Sequence, residues 1–271
     1  MHKVSFIGGG NMAAAIVGGL VASGTQPADI EVVEINADAR AQLAARFGVV
    51  THADVAQARL HPLIVLAVKP QTLQRVAVVL ASRLSDQLVV SIAAGVRVAD
   101  LSRWLGGHKR IVRAMPNTPA LVQAGMAGLF APPAVNPDAR SQAEAVLRAV
   151  GGVVWVEEEL HLDAVTAVSG SGPAYVFYCI EALEAAALEQ GLPLATARQL
   201  ALRTFFGAAK LALESGEEPG VLRARVTSKG GTTERGIAAL EAGAVNLAFG
   251  KAVEAASQRS AELGDELGRL T

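Results

Sequence analysis

The chain has 271 residues, 51% of them hydrophobic and only 4% aromatic, with a formal net charge of −1. That length suits one large domain or two ordinary ones, with enough apolar material for a sizeable core. The near-zero charge offers no footprint for nucleic acid or an acidic membrane, and the single cysteine, Cys179, excludes a disulfide framework and a Cys-based zinc site within one chain, as expected of a reducing, cytoplasmic setting.

Down to about residue 155 short apolar runs alternate with helical patterns. Strands are expected at 4–7, 30–33, 63–68, 88–92, 110–113, 125–130 and 153–156. Helices are expected at 12–22, 37–47, 71–84 and 137–150. The runs Leu63 to Val68 and Leu88 to Ile92 are continuously apolar, as in strands buried on both faces of a parallel sheet. Strand-helix alternation with short links means βαβ units. Beyond residue 159 the pattern is helical throughout, at 163–191, 194–216, 219–226, 232–242 and 244–267, with Gly or Pro near the breaks. The expected fold class is therefore α/β. A mostly parallel sheet domain over 1–160 precedes an all-α domain over 161–271. Residues 4–28 and 114–137 carry no charge, yet Gly8-Gly9-Gly10-Asn11 interrupts the first and five prolines the second. Neither reads as a membrane span or a targeting segment. The apolar residues on more than one face of the later helices suggest either an ordinary core or a partner chain.

The N-terminal run VSFIGGGNMAAAI has the spacing Gly8-x-Gly10-x-x-Ala13 between a strand and a helix, the fingerprint of a Rossmann-like dinucleotide site. Gly8 permits the tight turn, Gly10 lets backbone amides approach a pyrophosphate, and Ala13 lets the helix pack on its strand. Asn11 and Met12 lie in the helix's first turn, whose free N–H groups attract phosphate. Glu34, about 20 residues on, is placed for the adenosine ribose and disfavours a 2′-phosphate, whereas Asn36 and Arg40 favour one. NADH and NADPH both stay open. Three further loops should emerge at the same sheet edge: Val68, Lys69 and Pro70; then Ala93, Ala94 and Gly95, which leave room for a flat ring; then Asn117 and Thr118.

In the helical half, Pro173 disfavours helix at Gly172, so a break is expected near Gly170 to Pro173 in VSGSGPAYVF. The alternative is a plain linking turn. The segment Ser228-Lys229-Gly230-Gly231-Thr232-Thr233 precedes a helix; it reads as ordinary capping or as an anion site formed by backbone N–H groups.

Taken in order, FIGGGNMAAAI, LAVKPQ, VSIAAGV, IVRAMPNTPA, VSGSGPAYVF and TSKGGTTERGI resemble Δ1-pyrroline-5-carboxylate reductases over nearly the whole chain. The related β-hydroxyacid dehydrogenases are expected to carry a lysine in an early helix of the second domain, and 163–190 contains none. A nucleotide-sensing protein without turnover would need neither SGSGPAY nor SKGGTT. The resemblance implies reduction of a cyclic imine to L-proline with NADPH or NADH, and no metal. It implies that residues 228 to 233 hold the substrate carboxylate, that Thr233 bonds the ring nitrogen as the catalytic residue, and that Ser169 or Ser171 lies near the nicotinamide. It also implies homodimers through the helical domain, often stacked as pentamers of dimers. Many such reductases prefer NADPH, and Glu34 departs from that preference.

Overall fold

A computed structural model describes residues 3–269. Eight strands form one sheet: β1 (Val4–Ile7), β2 (Ile30–Val33), β3 (Val50–His52), β4 (Leu63–Leu66), β5 (Leu88–Ser91), β6 (Ile111–Pro116), β7 (Gly125–Phe130) and β8 (Gly151–Trp155). Their order is β3-β2-β1-β4-β5-β6-β7-β8, and every pairing is parallel except β6 with β7. The crossovers run through α1 (Asn11–Ala22), α2 (Ala37–Phe47), α3 (Pro70–Ala81), α4 (Val98–Trp104) and α5 (Pro137–Arg148).

The apolar strands are buried on both faces, which explains why they read as continuous runs. Phe6, Val32, Val65, Val90 and Val112 point to a layer with Ile16 and Val17 of α1 and Val146 and Leu147 of α5. Their neighbours Ile7, Val33, Ile64, Leu66 and Val89 point the other way, onto Leu73, Ala77 and Leu80 of α3 and Leu101 and Trp104 of α4. The two-residue alternation of the strands therefore fills two helix layers at once.

Some elements differ from the sequence expectation. The edge strand β3 and helix α4 were not anticipated; both are short, and β3 is only partly buried. Strand β8 starts two residues early, at Gly151, whose φ of 153° and position against the Gly125 carbonyl leave no room for a Cβ. A glycine start carries no β pattern. Strand β6 runs on to Pro116, which pairs with Ala127.

After β8 come α6 (His161–Val165), a π turn (Thr166–Gly170), α7 (Gly172–Glu189), α8 (Leu194–Ser215), α9 (Pro219–Arg225), α10 (Thr232–Ala242) and α11 (Val245–Gly268). The chain separates into two compact units, Met1–Ser171 with Ala255–Thr271, and Gly172–Glu254. Within the first unit the end of α11 returns to the sheet. Ser260 Oγ donates to the buried Asp163 Oδ1 of α6 at 2.6 Å, Arg97 pairs with Asp265 at 2.9 Å, and Leu267 joins the core beside Leu101. Within the second, α7 packs on α8, and Glu184 and Arg198 join them at 2.9 Å. Large apolar side chains stand exposed on these helices, among them Phe177, Tyr178, Phe206 and Leu213. Among the described residues no single helix is long and apolar enough to cross a membrane.

Candidate active site

Because β1, β4, β5 and β6 run parallel, the loops after them meet at one sheet edge, where open α/β sheets hold their ligands. The turn after β1 is the tightest. Gly8 has φ 105°, its N–H bonds Val33 O at 2.8 Å, and a Cβ there would lie 2.7 Å from the Ala67 carbonyl carbon. Only glycine satisfies both demands. Gly10 caps α1 and would place a Cβ in open space, with nothing within 4 Å. Ala13 is buried against the sheet. Asn11 is the first residue of α1, one earlier than expected, followed by Met12.

A cleft of about 670 Å³ opens beside this turn. It brings together Gly8, Gly10, Glu34, Val68 and Lys69 of the sequence-predicted residues. It also recruits Asp54 from the β3–β4 link and Thr72, Arg75, Val76 and Val79 from α3, which the sequence reading missed. The last four recur at helical spacing on one face of α3, a signal that could have found them.

The other predicted residues lie at the same edge but do not line this cleft. Asn36 caps α2, its Oδ1 accepting from Ala39 N at 2.9 Å. Pro70 is the first residue of α3. Ala93 is buried and Ala94 half-buried. Gly95, at φ 77°, faces α11: a Cβ would lie 3.2 Å from Leu267. Thr118 is exposed at the start of a 3-10 turn (Thr118–Val122).

Asn117 joins three elements. Its Oδ1 accepts from Met126 N of β7 at 2.8 Å, and its Nδ2 donates to Ser169 O at 3.1 Å and Ser169 Oγ at 3.2 Å. Ser169 O is the carbonyl that Pro173, lacking an N–H, cannot serve in α-helical register. The expected break is thus a π turn, closed by Ser171 N to Thr166 O at 2.8 Å, with helical backbone angles on either side. Such turns recur at functional sites. Met115 packs on the turn, with its Cε 2.6 Å from where a Cβ on Gly170 would lie.

In the second unit, residues 228 to 233 form a turn entering α10. Gly230 has φ 74°, and a Cβ on Gly231 would lie 2.5 Å from Ser228 Oγ. The sequence reading left both glycine N–H groups free for a ligand. Instead Gly231 N bonds Ser228 O at 3.0 Å, and Gly230 N bonds Glu234 Oε2 at 2.7 Å. The signal for that contact was the acidic residue in the first turn. The N–H groups of Thr232 and Thr233 take no acceptor among the described residues, as helix geometry dictates. Lys229 is exposed, and no side chain caps α10.

A family model for pyrroline-5-carboxylate reductase dimerisation matches residues 159–263, and one for NADP oxidoreductase, coenzyme F420-dependent, matches 3–95. The pyrroline-5-carboxylate reductase of Pseudomonas aeruginosa is 45% identical over 269 residues, covering 98% of each chain. The chain belongs to the pyrroline-5-carboxylate reductase family. Two solved structures of the family are similar to this chain. One from Coxiella burnetii, 45% identical, superposes with a TM-score of 0.93 over 97% of this chain and 98% of its own. Another, from Plasmodium falciparum with NADP bound, is 28% identical with a TM-score of 0.84 over the same shares.

Proposed function

We infer that the chain carries out the reaction for which its family is named. It is an NAD(P)H-dependent oxidoreductase that reduces 1-pyrroline-5-carboxylate to L-proline, the final step of proline biosynthesis. The full-length 45% identity carries this reading. The cleft supports it independently, since the Gly8 turn and the open face at Gly10 fit a dinucleotide that must approach the backbone.

When bound, NAD(P)H supplies the hydride. The chain's own residues position the reactants. Gly8, Gly10, Asn11, Met12 and Ala13 present the first turn of α1 to the pyrophosphate. Glu34 and Asn36 stand at the adenosine end, and Val68, Lys69 and Pro70 beside the pyrophosphate. Ala93, Ala94, Gly95 and Thr118 form the edge toward the nicotinamide. Asn117 acts there by holding the π turn, with Ser169 and Ser171 beside the ring.

The substrate carboxylate sits at the 228–233 turn. Thr232 and Thr233 offer first-turn N–H groups with the α10 dipole behind them, Gly230 and Gly231 keep the approach open, and Ser228 and Lys229 flank it. The Thr233 hydroxyl holds the ring nitrogen. A protonated imine accepts hydride without a protein acid, so orientation within a near-attack distance of about 3–3.5 Å is the main demand. Exposed Phe177, Tyr178, Phe206 and Leu213 support pairing with a second copy, and pentamers of such dimers are the larger assembly. The lone Cys179 suits a cytoplasmic location.

The test uses NAD(P)H deuterated at the transferable position. Deuterium should appear in L-proline on the ring carbon bonded to nitrogen and remote from the carboxylate. Unlabelled proline would refute direct transfer. Thr233→Ala should lower kcat/KM about tenfold, ~1.4 kcal/mol.

A further inference from the structure

We propose that Glu34 makes this chain select NADH over NADPH. The proposal rests on the reading of the cleft as the NAD(P)H site, and it concerns the ribose pocket at the β2–α2 link. Glu34 lines the cleft beside Gly8 and Gly10. Its carboxylate is fixed from two sides by backbone donors, Gly9 N to Oε2 and Asn36 N to Oε1, both at 2.8 Å. A carboxylate has about four lone-pair sites. Two are thus used, and two are left for the vicinal hydroxyls of a ribose. A phosphate on that ribose would meet the same oxygens with like charge and without a proton to offer.

The groups that favoured a phosphate in the sequence are tied to the local backbone, while Arg40 Nε and Nη2 and Asn36 Nδ2 take no acceptor among the described residues. Arg40 Nη1 donates to the carbonyls of Glu34 at 2.7 Å and Ile35 at 3.0 Å. Asn36 spends its N–H on Glu34 and its Oδ1 on Ala39 N. Ile35, the next residue on the cleft wall, has an apolar side chain that offers no donor. The N-terminus of α2 is the natural anion site here, but Asp38 already occupies its first turn. The cations of the cleft, Lys69 and Arg75, come from the β4–α3 link and α3 rather than from the β2–α2 link that carries Glu34.

The test is a fluorescence titration of the protein with NADH and with NADPH, without substrate. NADH should bind about tenfold or more tightly than NADPH, and Glu34→Gln, which keeps one acceptor but removes the charge, should narrow the ratio at least about threefold. The wild-type ratio needs no variant to fold. Equal affinities, tighter NADPH binding, or a ratio unchanged in Glu34→Gln would overturn the proposal. Failure of both cofactors to bind would overturn it together with the reading of the cleft. Selective NADH binding without reduction of pyrroline-5-carboxylate would uphold the proposal and refute only the assigned reaction.

Discussion

Replacing Asn117 by alanine removes the side chain that ties β6, β7 and the π turn together. Three hydrogen bonds are lost, from Met126 N at 2.8 Å and to Ser169 O and Oγ at 3.1 and 3.2 Å. Each is worth about 0.5–1.5 kcal/mol net. Water reaches this half-buried site and recovers part of the loss, so the expected cost is about 2 kcal/mol, or a fall of roughly 4–8 °C in Tm for a unit of this size. The Ser169 carbonyl suffers most, because Pro173 has no N–H to replace the missing donor. Asn117→Asp separates the two halves. It keeps an acceptor for Met126 N but sets a carboxylate against the Ser169 carbonyl, so it should cost at least as much as alanine. Thermal denaturation gives the stability. Steady-state kinetics separates the roles: a side chain that positions the π turn should lower kcat about tenfold, ~1.4 kcal/mol, with the cofactor KM little changed. A loss confined to cofactor affinity would mean that Asn117 touches the cofactor itself. Unchanged stability and kcat in Asn117→Ala would refute the reasoning.

Three further outcomes follow from the geometry. Gly8→Ala must place a Cβ 2.7 Å from the Ala67 carbonyl at a φ of 105°, so NAD(P)H affinity should fall about tenfold or more in a fluorescence titration; retained affinity would mean the turn is not the pyrophosphate seat. Ser260→Ala strips the donor from buried Asp163 and should destabilise the sheet unit by about 2 kcal/mol in urea unfolding, against under 0.5 kcal/mol if the 2.6 Å bond contributes little. Burial lowers the His61 imidazole from its ordinary 6.5, overriding the upward pull of Glu31. The unfolded chain then binds more protons between the lowered value and 6.5. The His61 contribution is complete above about pH 6.5 and declines as pH falls below it; a wild-type profile no steeper there than that of His61→Phe would contradict this.

What could be seen in the sequence follows from how each element is buried. Strands β4 and β5 are enclosed on both faces and announce themselves as unbroken apolar runs, and the Gly8-x-Gly10-x-x-Ala13 turn has a spacing set by sterics. Strand β3 has three residues, none buried, and so left no pattern. A break near Gly170 to Pro173 was legible because proline and glycine act locally, but the π turn at Thr166–Gly170 is bonded by Asn117, 52 residues away from Ser169 in sequence. The cleft shows the same limit. Glu34 is found by counting from the glycines, whereas Asp54 and Arg75 join it only once β3 and α3 have packed on their strands. Nor does the Gly-Gly pair at 230–231 reveal that Glu234 claims an N–H that seemed free.

Reduction of pyrroline-5-carboxylate by this chain at the expense of NAD(P)H underlies every role given to the cleft and to the 228–233 turn. The most direct measurement follows cofactor oxidation and L-proline formation together, with pyrroline-5-carboxylate in one arm and an open-chain imine or a β-hydroxyacid with the oxidised cofactor in others. One L-proline should form for each NAD(P)H consumed in the first arm, with little turnover elsewhere. No oxidation with pyrroline-5-carboxylate, or faster turnover of an open-chain substrate, would contradict that assignment.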